Sequence, residues 1–198
     1  MLTFTAAVFF LFITPGPGVL SLAGVGSGFG FGAGVRYLAG LFLGTNLVAL
    51  AVVSGLAAAV LAVPGLRTAL LFASVAYLCY LAARIAFAGT RVAFIERAEA
   101  PGVLGGLMLQ AVNPKAYVVN TTFFSGFAFL PESPLAEILI KFAIMNALWI
   151  PVHFLWLGAG IVLHRLDLPP RAHVAINAAM ALAMLAVVGL AIWSPAGG

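Results

Sequence analysis

Long apolar stretches dominate the chain, and short segments that hold most of its charges and prolines separate them. A helix needs about 20 apolar residues to cross the hydrocarbon core of a bilayer. Stretches of about that length predict six membrane spans, at 2–23, 38–63, 66–87 (or from 68), 103–130, 138–163 and 174–192. Because lipid offers the backbone no hydrogen-bond partners, and because these runs lack the alternation of barrel strands, each span is expected to be a helix.

The composition excludes several other classes of protein. The chain of 198 residues is 64% hydrophobic and 7% charged, whereas a soluble domain is roughly 45–50% apolar and about 25% charged. These values exclude a soluble enzyme, a nucleic-acid binder and a secreted disulfide scaffold. The fold prediction is therefore an all-α membrane protein, in which one transmembrane domain occupies residues 1–198. The lone Cys79 supports neither a disulfide nor a metal cage, and no cofactor is expected.

Charges in the predicted loops indicate the orientation in the membrane. Loops two and four, with their flanks, carry only Arg67 and Lys141. Loops one, three and five carry Arg36, Arg84, Arg91, Arg97, Arg165 and Arg171. Because cytoplasmic loops are enriched in Lys and Arg, the odd-numbered loops are predicted to be cytoplasmic and both termini external. No basic residue precedes Arg36, which favours a retained first span over a cleaved signal peptide. The glycines that alternate from 24 to 34 are expected to form the first loop.

Two of the six spans carry prolines near their middle. The first contains Thr-Pro-Gly-Pro-Gly at 14–18, and the fourth contains Asn-Pro-Lys-Ala at 113–116. Because proline removes a backbone donor and clashes with the carbonyl four residues earlier, both spans are predicted to be broken helices. Pro15 and Pro114 are half a chain apart, which predicts two inverted three-helix repeats, at about 1–90 and 102–198. Paired breaks of this kind indicate the binding site of a secondary transporter; two unrelated packing kinks are the alternative.

Each break is expected to point a helix N-terminus, at 18–20 and at 115–117, into the membrane interior. Such ends attract anions through their amides and the helix dipole, and Lys115 adds a full charge that should face the bundle interior. The prolines should also free three backbone carbonyls that could accept hydrogen bonds from an ammonium group, those of Leu11, Ile13 and Gln110. A site that offers both an anion-binding end and such acceptors suits an amino acid. The candidate substrate-binding residues are Thr14, Pro15, Gly16, Pro17, Gly18, Asn46, Gln110, Asn113, Pro114 and Lys115.

These motifs resemble the lysine exporter (LysE/RhtB) family over nearly the full length. The resemblance rests on Thr-Pro-Gly-Pro at 14–17, Asn-Pro-Lys-Ala at 113–116, the Gly-x-x-x-Gly at 40–44, and Ala-Tyr-Leu-x-Tyr-Leu at 76–81. It implies a six-helix exporter of amino acids in the bacterial cytoplasmic membrane, coupled to the proton motive force.

The sequence departs from the family pattern at two places. An acidic residue often follows the second glycine of the second span, where this chain has Thr45, and Asn or Asp often follows Pro-Gly-Pro, where it has Gly18. All five acidic residues lie in or near predicted loops: Glu96, Glu99, Glu132, Glu137 and Asp167. A basic substrate would lack a counter-ion, so neutral amino acids are favoured.

Other polar residues inside the spans have two interpretations each. His153 is a candidate proton carrier, or a neutral histidine bonded to nearby backbone. Asn46 and Asn146, which are 100 positions apart, and Gln110 could contact substrate or form hydrogen bonds between helices. The Gly-x-x-x-Gly motifs at 40–44 and 102–106 allow close helix packing, either within the bundle or in a homodimer.

Other functions are also compatible with the sequence. They are efflux of another small solute or a metal ion, and a non-transporting membrane assembly protein. A metal is disfavoured because the spans hold no cluster of Cys, His, Asp and Glu. An intramembrane enzyme is not expected, since neither Gly-x-Ser-x-Gly nor His-Glu-x-x-His is present. The expected partners are an amino-acid substrate and the lipid bilayer.

Overall fold

The computed structural model describes residues 1–14, 16–55 and 99–165, with scattered positions between 62 and 83 and between 169 and 182. The elements among these residues are all helices, and the described ranges contain no strand. The helices are α1 (Leu2–Ile13), α2 (Pro17–Val53), α3 (Val103–Val112), α4 (Pro114–Ser125) and α5 (Pro134–Arg165). The third and sixth predicted spans lie largely outside the described residues.

Two of the described helices are long and apolar enough to cross a membrane, at Pro17–Val53 and Pro134–Val162. Large apolar side chains point outward along both of them. More than half of the surface is exposed for Leu43, Leu47, Leu139 and Leu155. Soluble proteins seldom expose large contiguous apolar patches, so this surface suits contact with lipid.

The first span is broken where its prolines predict. Helix α1 ends at Ile13, and α2 begins at Pro17. Between them, the backbone of Thr14 and Gly16 is extended. Pro17 occupies the first position of α2, where its missing N–H is no loss and its fixed φ suits a helix. The break therefore separates two helices instead of bending one.

The fourth span is broken in the same manner. Helix α3 ends at Val112, Asn113 is extended with φ −77° and ψ 106°, and α4 begins at Pro114. The Asn113 side chain accepts a hydrogen bond from the Lys115 amide over 3.1 Å, as an N-cap does. Both breaks thus place a proline at the start of the second half-helix.

The turn predicted in the glycine-rich stretch is present, but it is a sharp kink at one residue instead of a long loop. The backbone is helical on both sides of Gly30, whose φ of 77° and ψ of −172° interrupt the helix within Pro17–Val53. The chain folds back there, because the Tyr37 hydroxyl donates to Ser21 Oγ over 3.0 Å, whereas 16 positions along a continuous helix would separate the two residues by about 24 Å. That φ favours glycine because a Cβ would clash there. The stretch packs tightly: a Cβ on Gly26 or Gly34 would press on Leu157 of α5. The glycines therefore serve both the turn and close contact between helices.

The Gly-x-x-x-Gly motif at 40–44 packs within the chain. A Cβ on Gly40 would overlap the Val103 carbonyl, and one on Gly44 would lie 2.6 Å from Gln110 Cβ. From the other side, a Cβ on Gly106 would overlap the Tyr37 carbonyl. The backbones of α2 and α3 therefore approach closely, as small residues allow in membrane proteins.

A buried ion pair ties the start of α5 to the segment that follows α4. Glu137 Oε1 lies 2.8 Å from Lys141 Nζ, and Oε2 accepts from the amides of Phe129 and Leu130. Lys141 is 1% exposed, and its Nζ lies 5.6–5.9 Å from the ring centroids of Phe129 and two other phenylalanines. The sequence suggests loop charges here, but α5 begins four residues earlier than predicted and buries both groups.

We expect Lys141→Met to lower the melting temperature by several degrees, because it leaves the Glu137 carboxylate buried without its cation. The double variant Glu137→Gln/Lys141→Met should recover most of the loss, since glutamine can still accept from the two amides. Melting of the purified protein in detergent measures both. Glu132→Gln, which changes an exposed charge, is the control. If Lys141→Met melts at the same temperature as the parent, the ion pair contributes nothing to stability.

Candidate functional site

A cavity of about 60 Å³ lies where the two breaks meet. At about 10–15 Å³ per enclosed water, it has room for on the order of four to six waters, or a compact solute. The residues predicted from sequence that line it are Thr14, Gly16, Pro17, Gly18, Gln110, Asn113, Lys115 and His153. Four further polar or aromatic residues line it without having been predicted: Phe12, Thr45, Asn120 and Trp149. Pro15 and the Pro114 side chain lie outside the described part of the chain.

Lys115 bridges the two breaks. Its Nζ, on α4, donates a hydrogen bond to the Thr14 carbonyl in the first break over 3.3 Å. Gly16 leaves the space for this contact, because a Cβ there would lie 2.9 Å from the ammonium nitrogen. The Thr14 hydroxyl donates to the Phe10 carbonyl over 2.6 Å. Since an ammonium group has three N–H donors, Lys115 can bond Thr14 and still offer donors to a ligand.

The two half-helix N-termini differ in how many free amides they offer. At the start of α4, the Lys115 amide is capped by Asn113 Oδ1 and the Ala116 amide donates to the Asn113 carbonyl. At the start of α2, the Leu20 amide donates to the Gly16 carbonyl. The amides of Gly18 and Val19 have no acceptor within α2, because the residues four positions earlier precede the helix. The first turn of α2 is therefore the better anion-binding end, a difference that the sequence does not predict.

The carbonyls around the second break are bonded within the chain. The Gln110 carbonyl, which proline was predicted to free, accepts from the Asn113 amide over 3.3 Å. The Ala111 carbonyl accepts from the Tyr117 hydroxyl over 2.8 Å. The break thus does not leave the Gln110 carbonyl unpaired, and one of its two lone pairs is used within the chain.

A chain of side-chain hydrogen bonds crosses one wall of the cavity. Asn113 Nδ2 donates to Gln110 Oε1 over 3.0 Å, and Gln110 Nε2 donates to Thr45 Oγ1 over 2.9 Å. Gln110 and Asn113 are 5% and 4% exposed. Because each amide bonds through both of its ends, the chain fixes their orientations and joins the start of α4 to α2.

His153 and Trp149 form a stacked pair at the cavity. Their ring centroids are 3.5 Å apart with an interplanar angle of 15°. His153 Nδ1 lies 2.8 Å from the Trp149 carbonyl, which can only accept, so Nδ1 carries the hydrogen. In the neutral ring Nε2 then holds a lone pair. His153 thus makes the hydrogen bond to nearby backbone that one of its two interpretations predicts. Its Nε2 lone pair can still accept a proton or a hydrogen bond from a ligand.

Asn46 does not line the cavity. It exchanges two hydrogen bonds with Asn146, over 3.1 and 3.0 Å, and its Nδ2 also lies 2.9 Å from the Phe42 carbonyl. The two asparagines occupy corresponding positions of the predicted repeats, and in the structure they join α2 to α5. Of the two roles open to Asn46, the geometry favours hydrogen bonding between helices.

The sequence contains only weak indications that Asn120 and Thr45 line the cavity. Asn120 follows Ala116 by one helical turn and so shares its face of α4, and Thr45 follows the Gly-x-x-x-Gly motif directly. A single amide or hydroxyl in an apolar span does not reveal which groups it will meet, because its neighbours come from other helices.

The chain matches no family model, no curated protein and no solved structure. Within the described residues, no group of three or more His, Cys, Asp and Glu side chains is placed to hold a metal ion. The function is therefore inferred from the chemistry of the cavity.

Proposed function

We propose that the protein is a secondary transporter that exports small neutral amino acids from the bacterial cytoplasm by alternating access. It spans the inner membrane six times as two inverted three-helix repeats, with both termini outside. The observation that carries the proposal is the convergence of both helix breaks and Lys115 on one small cavity. Irregular backbone at membrane depth is tolerated where it lines such a cavity.

Lys115 and the first turn of α2 form the carboxylate end of the site. Among the described residues that line the cavity, Lys115 is the only one with a permanent charge, and none is acidic. A charged lysine in a membrane interior is unfavourable by roughly 2.5–3.5 kcal/mol or more. A ligand carboxylate offsets this, and the Gly18 and Val19 amides add donors beside it.

The uncharged remainder of the lining selects the net charge of the substrate. A second ammonium group, as in lysine, would enter a site without a described carboxylate to pair with it. A second carboxylate, as in glutamate, would lack a second cation. Because burying an unpaired charge is costly, a zwitterion with a small uncharged side chain fits best.

The contact between Lys115 and Thr14 links binding to movement. This hydrogen bond joins the first break to α4. A substrate carboxylate competes for the ammonium group and weakens that link, so occupied and empty sites favour different arrangements of the two halves. His153, at the same cavity, is the candidate group for proton coupling.

Counterflow into proteoliposomes tests the function. Purified protein should exchange labelled L-alanine saturably for internal L-alanine, and labelled lysine and glutamate at least about tenfold more slowly, because of the unpaired charge. Protein-free liposomes are the control. A preference for lysine would contradict the neutral substrate class. Folded protein that exchanges no amino acid would contradict transport of amino acids and favour another solute or an assembly role.

A further inference from the structure

Asn120 is a buried amide on α4 that lines the cavity with only one of its ends paired. Its side chain is 3% exposed, and Nδ2 donates to the Ala116 carbonyl over 2.7 Å. Because a carbonyl oxygen can only accept, this bond shows which end of the amide is the NH₂ group. The other end, Oδ1, is a buried acceptor that no described residue satisfies.

An unsatisfied buried acceptor is unusual, since folded proteins pair nearly all of their buried polar groups. The polar neighbours along the cavity wall are already engaged: Asn113 bonds Gln110, and Gln110 bonds Thr45. Lys115 Nζ bonds the Thr14 carbonyl and does not bond Asn120 Oδ1. A donor that enters the cavity from outside the chain would complete the pairing of Asn120.

We propose that Asn120 Oδ1 accepts a hydrogen bond from the ammonium group of the transported molecule. It thereby selects a compact zwitterion, a small neutral α-amino acid, over a simple carboxylate of the same size. This inference rests on the proposed function, in which Lys115 holds the carboxylate. It differs from the carbonyl acceptors that the sequence predicts, one of which, that of Gln110, is bonded within the chain.

The spacing of the two residues suits such a ligand. Lys115 and Asn120 are five positions apart on α4, which is about 7.5 Å along the helix axis. An α-amino acid with a hydrogen bond at each end reaches roughly 8–10 Å. The two residues are about 140° apart around the helix, so one molecule can contact both because both line the same cavity. A cavity of about 60 Å³ leaves room for only a small side chain.

Equilibrium binding to the full chain in nanodiscs tests this inference, with labelled L-alanine and labelled propionate as separate probes. Propionate keeps the carboxylate and the small apolar part of alanine but lacks the ammonium group. We expect Asn120→Leu, which keeps the volume and removes the acceptor, to weaken alanine binding roughly 10- to 100-fold. Propionate binding should change by less than about threefold, because its contacts with Lys115 remain.

Two further variants support the interpretation. Asn120→Asp keeps an acceptor, so alanine binding should persist, while the added charge weakens propionate binding. If Asn120→Leu does not fold, the binding of alanine and propionate by Asn120→Asp tests the inference instead. Thr122→Val is the matched control, because Thr122 also donates to the carbonyl four residues earlier on α4 but is exposed. It should leave both affinities unchanged.

The other outcomes separate the two proposals. If wild-type protein binds propionate as tightly as alanine, or if Asn120→Leu weakens both ligands equally, the ammonium subsite is overturned while a carboxylate transporter remains. The ammonium subsite is also overturned if Asn120→Asp weakens the binding of alanine and of propionate equally. If folded wild-type protein binds neither probe and exchanges no amino acid, the proposed function is overturned together with this inference.

Discussion

Gly160→Ala is expected to lower the free energy of unfolding by about 3 kcal/mol, at the upper end of the usual range for overpacking. A Cβ at Gly160 would lie 3.0 Å from the Ala23 Cα and overlap the Ala23 carbonyl. The obstacle is backbone, so no side-chain rotation relieves it, and α2 and α5 must move apart. The same separation would disturb the cavity, since these helices carry the first half-helix N-terminus and His153.

Gly158→Ala is the matched control on the same helix, because no described atom lies within 4 Å of a Cβ built there. It should be neutral or slightly stabilising, since alanine is favoured over glycine in helices by up to about 1 kcal/mol. Chemical unfolding in mixed micelles measures both variants. Equal stabilities for the two alanine variants would show that α2 and α5 do not pack as closely as the structure indicates.

The two helix breaks could be predicted from the sequence because proline acts locally. Pro17 and Pro114 each fix φ and remove a donor whatever surrounds them, so the positions of the breaks follow from the chain alone. The position of Lys115 at the cavity could also be predicted, because a cation inside an apolar span requires a polar environment within the bundle. These local effects account for most of the predicted residues that line the cavity.

The pairing of the polar groups could not be predicted, because it depends on which helices meet. Asn46 and Asn120 look alike in sequence, as single amides in apolar spans. In the structure, Asn46 finds a reciprocal partner in Asn146, whereas Asn120 keeps an unpaired acceptor at the cavity. Only contacts between helices distinguish the structural amide from the candidate ligand-binding one.

The start of α5 shows how a sequence rule can mislead. Charges mark the ends of spans in general, so the sequence predicts that Glu137 lies in the loop before the fifth span and Lys141 at the flank of that loop. Their spacing of four residues also allows an ion pair along a helix, and the structure shows that pair at 2.8 Å. The ring of Phe4, from α1, lies 5.8 Å from Lys141 Nζ, and this contact could not be read from the local sequence.

Lys115→Met is expected to reduce alanine counterflow at least about 100-fold without destabilising the fold. Counterflow should fall while stability does not, because Lys115 has no acidic partner among the described residues. Its observed bond is to the Thr14 carbonyl. In the proposed arrangement Lys115 lies in the membrane interior, where removing its charge relieves a cost of roughly 2.5–3.5 kcal/mol, so the variant should be as stable as the parent or more so. A lysine with a purely structural role would show the opposite pattern, with stability falling together with activity.

The measurement pairs counterflow rates with melting temperatures for each variant. Ser125→Ala, at the exposed end of α4, is the control and should retain both properties. Lys115→Arg keeps the charge in a larger group, but Gly16 leaves little space, since a Cβ there is already 2.9 Å from Nζ. We therefore expect Lys115→Arg to be intermediate in rate. Wild-type exchange by folded Lys115→Met would refute the carboxylate site, because the amides of Gly18 and Val19 alone would then have to bind the anion without a counter-charge.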